Sequence, residues 1–358
     1  MSNQQLPPIK IILTACGCPG ASTLIKRLKG NGERKLTIIG TDMNEEAIGR
    51  FLCDGFYEVP SGTSDEYIPA LLDIVKKEKP ALVFPESSNE VLALAQTREK
   101  FESIGTKVVV SSPEAIQASS NKYLMYETVR KSGKVDLPKY FSASNLDDFV
   151  TAAERLGYPE SPVVFKPHFG KGSRGVRIID PMADRKRQLM DEKPTSKYMS
   201  FDEFTEIFKD VEDAGFPDFL LMEYLEGMEK TADTLAMEGR ALLTTIKTVE
   251  KARWGVIVEG ELVRDDYLVE QTKHILNSIP LSYCVNVQFI AGMLVEINPR
   301  VSTFIYQQNL IAPYLAIKLA LGELSEEDVT IYNDRIDYGR RMIRYMDQTF
   351  HKEWREVP

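Results

Sequence analysis

The stretch Val285–Arg300, VNVQFIAGMLVEINPR, decides how the chain is read. Two apolar-rich runs flank Ala291-Gly292, a pair suited to a tight hairpin turn. In a strand, alternate side chains share a face. Glu296, Asn298 and Arg300 therefore point one way, and Val295 and Ile297 point into a core. Gln288 lies opposite on the preceding strand. One carboxylate and two amides facing one point form an oxygen-donor set. Such a set suits a hard cation that takes one or two carboxylates and fills its shell with phosphate and water. The guanidinium of Arg300 beside it suits an anion.

Polar residues alternating along a solvated strand are common, so the stretch needs support from elsewhere. Upstream, VVFKPHFGKGSRGV (163–176) places Lys166 at the end of an apolar strand. Burying a lysine there is costly unless an anion meets it. The glycines that follow let backbone amides approach phosphate oxygens without Cβ obstruction. The run FLLMEYLEGMEKTADTLAMEGR (219–240) is an apolar strand, a turn and a second strand. Asn121-Lys122 lies in a helical segment further upstream.

These stretches, in this order, resemble the ATP-grasp superfamily over roughly Asn121 to Arg300. Within it they look most like the carbamoyl-phosphate-synthetase branch. The resemblance implies that Gln288, Glu296 and Asn298 hold Mg²⁺, or Mn²⁺ in its place. It implies that Lys122 and Lys166 meet ATP phosphates, and that Gly172, Ser173 and Gly175 belong to a loop folding over them. Glu223 and the backbone of Leu225 would meet the adenine edge, Glu229 the ribose, and Arg300 an acylphosphate intermediate. The neighbour of Lys122 is an asparagine where the family usually has an aspartate. Gln288 is neutral where many members carry a carboxylate.

The 358 residues allow two or three domains, and 43% hydrophobic with 27% charged content fits a globular protein. A net charge of -9 argues against nucleic-acid or anionic-membrane binding. Cys16, Cys18, Cys53 and Cys284 have no metal-site spacing and read as free thiols of a reducing cytoplasm. No apolar window reaches membrane length, so the expected location is cytoplasmic. None of His168, His274 and His351 has a nucleophile partner pattern.

The fold expected is α/β: a Rossmann-like N-terminal pre-ATP-grasp domain (1–112), then a two-subdomain ATP-grasp fold. A linker and small ATP-binding subdomain cover 113–224, and a subdomain with the metal site covers 225–358. Gly17, Gly20 and Asp42 form a tight turn rather than a dinucleotide fingerprint, since the full glycine pattern is missing. The segments 91–101 and 112–133 each read as one helix, and 307–321 as another. Pro181–Ser200 reads as a mobile surface loop, with Ser200 capping the helix after it.

The resemblance implies an ATP-dependent ligase. It would activate a small-molecule carboxylate as an acylphosphate and join it to an amine, releasing ADP and phosphate. A bicarbonate-activating subunit and a non-catalytic ATP-binding regulator are the alternatives. Homodimers are common among such proteins.

Overall fold

Strand β1 (Ile9–Leu13) buries alternate residues in two different cores. Ile11 and Leu13 join one cluster, and Ile12 joins another. A strand apolar on both faces belongs in the middle of a covered parallel sheet. In this computed structural model, β1 pairs in parallel with β2 (Leu36–Asp42) and β4 (Leu82–Phe84). Strands β3 (Gly55–Glu58) and β5 (Lys107–Val108) complete the order β3-β2-β1-β4-β5. The structure describes residues 6–170, 174–191, 196–211, 215–253, 256–302, 304–307 and 310–350.

The chain divides into two compact units. The first comprises Met1–Gln117, Lys230–Gln288 and Ile297–Pro358; the second comprises Ala118–Glu229 and Phe289–Glu296.

In the first unit, the turn after β1 is tied by Asp42. Its carboxylate accepts from the Gly17 amide at 2.7 Å and from the Asn44 amide at 3.0 Å. A Cβ on Gly17 would lie 2.9 Å from that carboxylate oxygen, so the glycine serves close approach. The expected helix at 91–101 is two helices, Val91–Gln96 and Arg98–Glu102, separated at Thr97. Among the described residues of 307–321 the helix spans Ala312–Ala320, starting where Pro313 fits the first turn.

The second unit holds a sheet of order β6-β10-β7-β8-β9. Its strands are β6 (Tyr140–Ala143), β7 (Val163–Pro167), β8 (Arg177–Ile179), β9 (Tyr198–Met199) and β10 (Phe219–Glu223). Phe149, Phe165, Phe204 and Phe219 form its core, with the Phe149 and Phe204 rings stacked 3.8 Å apart. The segment 112–133 is not one helix. It breaks at Asn121, whose side chain caps the helix Lys122–Arg130 by accepting from the Leu124 amide at 2.9 Å. The stretch 181–200 contains the helix Arg185–Asp191 and strand β9, not a loop throughout; 192–195 lie outside the described residues. Ser200 does cap Phe201–Phe208, accepting from the Glu203 amide at 3.1 Å.

The remaining strands are β11 (Glu229–Met237), β12 (Arg240–Thr248), β13 (Lys251–Arg253), β14 (Val256–Val263), β15 (Tyr283–Ile290), β16 (Met293–Asn298) and β17 (Arg341–Ile343). They form a sheet of order β13-β14-β12-β11-β15-β16, with β17 on β14. The expected turn at Ala291-Gly292 has φ of 51° and 84°, the left-handed pair that suits a tight hairpin.

Phe149→Ala removes the centre of the aromatic core and should destabilise the second unit by about 3–5 kcal/mol. Urea unfolding followed by circular dichroism and limited proteolysis checks this. Early cleavage within 118–229 is the expected pattern.

Candidate functional site

The break at Asn121 places Lys122 on the first turn of its helix. The Lys122 amide donates to the His168 carbonyl at 2.9 Å. Helical spacing then puts Lys122, Tyr126 and Val129 on one buried face. Lys122 is 4% exposed, and its ammonium donates to the Gly170 carbonyl at 2.7 Å. Burial lowers its pKa, with Glu296 pulling the other way.

Lys166 leaves β7 beside it and is 3% exposed. Its ammonium donates to the Val295 carbonyl at 2.9 Å and stands 5.4 Å from the Tyr126 ring centroid. Burial pushes its pKa down to about 8; Lys122 adds to the fall and Glu296 opposes it. The Tyr126 hydroxyl donates to the carbonyls of Leu294, at 2.9 Å, and Val295, at 3.3 Å. Tyr126 was not singled out from the sequence, although the four-residue spacing from Lys122 was there to be used.

The glycine-rich turn lies against Lys122. A Cβ on Gly170 would stand 3.2 Å from the Arg174 carbonyl and 3.8 Å from the Lys122 nitrogen. Gly175 has φ of +75°, and a Cβ there would strike the Pro167 ring at 2.7 Å. Gly172 and Ser173 lie outside the described residues. His168 stacks on Tyr123 with centroids 5.3 Å apart and meets the Ser142 hydroxyl at 3.1 Å, so it backs the turn. Burial lowers its pKa.

Glu223 ends β10. Its carboxylate accepts from the Lys139 amide at 2.7 Å, and its own amide donates to the Lys139 carbonyl at 3.1 Å. Leu225 and Glu229, which opens β11, are partly buried. Lys122, Lys166, Gly170, Gly175, Glu223, Leu225, Glu229 and Glu296 all belong to the second unit.

Glu296 and Asn298 alternate along β16 and so share a face. In the first unit, the Asn298 amide donates to Asn286 at 3.4 Å, and Asn286 donates to Asp233 at 2.8 Å. Gln288 lies two residues beyond Asn286 on β15, on the same strand face. Asp233 pairs with Lys247, both fully buried. Burial raises the Asp233 pKa against the pull of Lys247. Lys247 is therefore committed to a carboxylate, and Arg253 is exposed. Val295 is only partly buried, whereas Ile297 is in a core as expected. Arg300 follows the strand. Its Nε donates to the Ser88 hydroxyl at 2.7 Å, and a second nitrogen to the Val301 carbonyl at 2.7 Å. It lies in the field of Glu86, whose pKa burial drives well up and Arg300 restrains.

Two stretches of the chain match described families. Residues 215–340 match a family described as ATP-grasp in the biosynthetic pathway with Ter operon. Residues 11–109 match the PylC-like N-terminal domain. Residues 215–340 are thus similar to an ATP-grasp domain. The carbamoyl phosphate synthase large chain of Gemmatimonas aurantiaca is 28% identical over 128 residues, 36% of this chain and 11% of that protein. The formate-dependent phosphoribosylglycinamide formyltransferase of Pyrococcus furiosus is 34% identical over 107 residues, 30% of this chain and 24% of that protein. The matched stretches are thus a small part of both relatives. The N5-carboxyaminoimidazole synthetase of Staphylococcus aureus complexed with ADP superposes with a TM-score of 0.58 at 16% identity, covering 91% of this chain and 76% of that one. That likeness is one of fold and spans most of the chain. Among the described residues, no helix is long and apolar enough to cross a membrane.

Lys166 gives the ligand-free protein a pH signature. Its folded pKa of about 8 lies below the ordinary lysine value of 10.5. Between those values the unfolded chain holds a proton that the folded chain has released, so stability rises with pH across that window. Lys166→Met should remove this rise. The difference between wild-type and variant urea midpoints, followed from below pH 8 to above 10, should grow with pH in favour of wild type.

Proposed function

We propose that this chain is an ATP-dependent ligase that activates a carboxylate as an acylphosphate and joins it to an amine. One observation carries the reading. Two ammonium groups, Lys122 and Lys166, are buried in one unit beside a glycine-rich turn, and among the described residues the acidic side chain in their field is Glu296. Both ammonium groups donate to backbone carbonyls, which do not neutralise charge. Buried cations in that state call for an anion with several oxygens, and a phosphate chain supplies it.

In this reading Lys122 and Lys166 hold the phosphates. Gly170 and Gly175 keep the turn low enough for backbone amides to close over them, together with Gly172 and Ser173. The Leu225 backbone and Glu223 meet the adenine edge, and Glu229 meets the ribose. Gln288, Glu296 and Asn298 hold Mg²⁺ or Mn²⁺. Their oxygen donors suit a hard cation, and their single charge leaves room for phosphate and water in its shell. The cation, when bound, neutralises phosphate charge.

A carboxylate oxygen attacks the γ-phosphorus in line, and ADP leaves. The acylphosphate is then attacked by an amine at its carbonyl carbon; phosphate leaves and the amine gives up a proton. Positioning and charge neutralisation are the main contributions of the protein. Arg300, anchored on Ser88, stabilises the acylphosphate.

ADP release from Mg-ATP, measured against pooled amino acids and small carboxylates with ammonia or amines, tests this. Release should require both a carboxylate and an amine; release with neither, or from no pool, would contradict it. Glu296→Gln should abolish turnover with the fold intact by circular dichroism. Lys166→Ala should chiefly weaken nucleotide binding, by about 10-fold or more, as loss of a charge-assisted contact predicts.

A further inference from the structure

Four side chains of the first unit form a single file that ends at Asn298. Lys247 and Asp233 are an ion pair with both side chains fully buried. Asp233 accepts from the Asn286 amide nitrogen at 2.8 Å, and Asn286 is 1% exposed. The Asn286 oxygen accepts in turn from the Asn298 nitrogen at 3.4 Å, the longest link of the file.

The polarity of this file follows from the charge at its far end. A carboxylate held against an ammonium only accepts hydrogen bonds, so Asn286 must turn its NH₂ group toward Asp233. Its oxygen then faces Asn298. Asn298 must answer with its own NH₂ group, which turns its oxygen away from Asn286. An amide oxygen ligates a hard cation, whereas an amide NH₂ repels one.

We propose that Asp233 and Asn286 are positioning residues that fix which end of the Asn298 amide is presented to the cation. This rests on the metal reading above. Outer partners of metal ligands commonly act in this way. The same polarity yields a less obvious consequence at Asn298 itself. Asn298→Asp adds a negative charge, which alone would tighten cation binding. Here the new carboxylate meets the Asn286 oxygen, and flipping the Asn286 amide to offer it the NH₂ group would set the amide oxygen against the Asp233 carboxylate.

The test is Mn²⁺ binding to the full chain with ADP present, read by electron paramagnetic resonance of free Mn²⁺. Asn286→Leu should weaken Mn²⁺ binding by about 10- to 100-fold. ADP affinity in chelator should not change. Asn298→Asp should also weaken Mn²⁺, and it stands at a part-exposed position, so it carries the test if Asn286→Leu does not fold. Glu296→Gln and Asn298→Ala report on the metal reading itself. If those two weaken Mn²⁺ while Asn286→Leu does not, or while Asn298→Asp tightens it, the positioning role is overturned and the metal site stands. If neither Glu296→Gln nor Asn298→Ala alters Mn²⁺ affinity, the metal reading fails and the positioning role fails with it.

Discussion

Two buried ammonium groups with too little negative charge around them are the constraint on which the candidate site depends. A lysine near full burial ordinarily finds a carboxylate or loses its proton. Lys247 shows the first solution, locked to Asp233. Lys122 and Lys166 show neither in full. Glu296 acts on both, but each donates to a backbone carbonyl. Burial lowers both pKa values, a fall that an incoming anion would oppose.

Local structure in the second unit serves this arrangement. Asn121 ends one helix and caps the next, which sets Lys122 at a helix start with its backbone tied to His168. Tyr126, one turn later, grips the same strand segment that Lys166 grips. The positive φ of Ala291 and Gly292 turns that segment sharply, so Glu296 follows after a short run. The phenylalanine core beneath β7 holds the strand that delivers Lys166. A rigid base of this kind reduces the reorganisation needed to receive a phosphate chain.

Much of this was legible from periodicity and cost. Alternation around Val285–Arg300 gave the hairpin and put Glu296 with Asn298, because a strand has only two faces. The expense of burying a lysine singled out Lys166. Other features were not legible, for identifiable reasons. Asn121 was read inside a helix since an asparagine there looks the same as a cap until the break is seen. The stretch 181–200 lacks an apolar stripe because helix Arg185–Asp191 is solvated, so its helicity left no periodic trace. The ion pair of Lys247 with Asp233 depends on the pairing of β11 with β12, which the sequence alone does not display. Tyr126 and Asn286 act through hydrogen bonds to residues far along the chain, which one sequence does not pair.

The central claim is that Lys122 and Lys166 form a phosphate site. Calorimetric titration of a non-hydrolysable ATP analogue with Mg²⁺, into wild type and into the Lys122→Met, Lys166→Met double variant, tests it most directly. The account predicts saturable binding to wild type and a loss of about 100-fold or more in the double variant, from two charge-assisted contacts. Equal affinity in a folded double variant, or no binding to wild type, would contradict it.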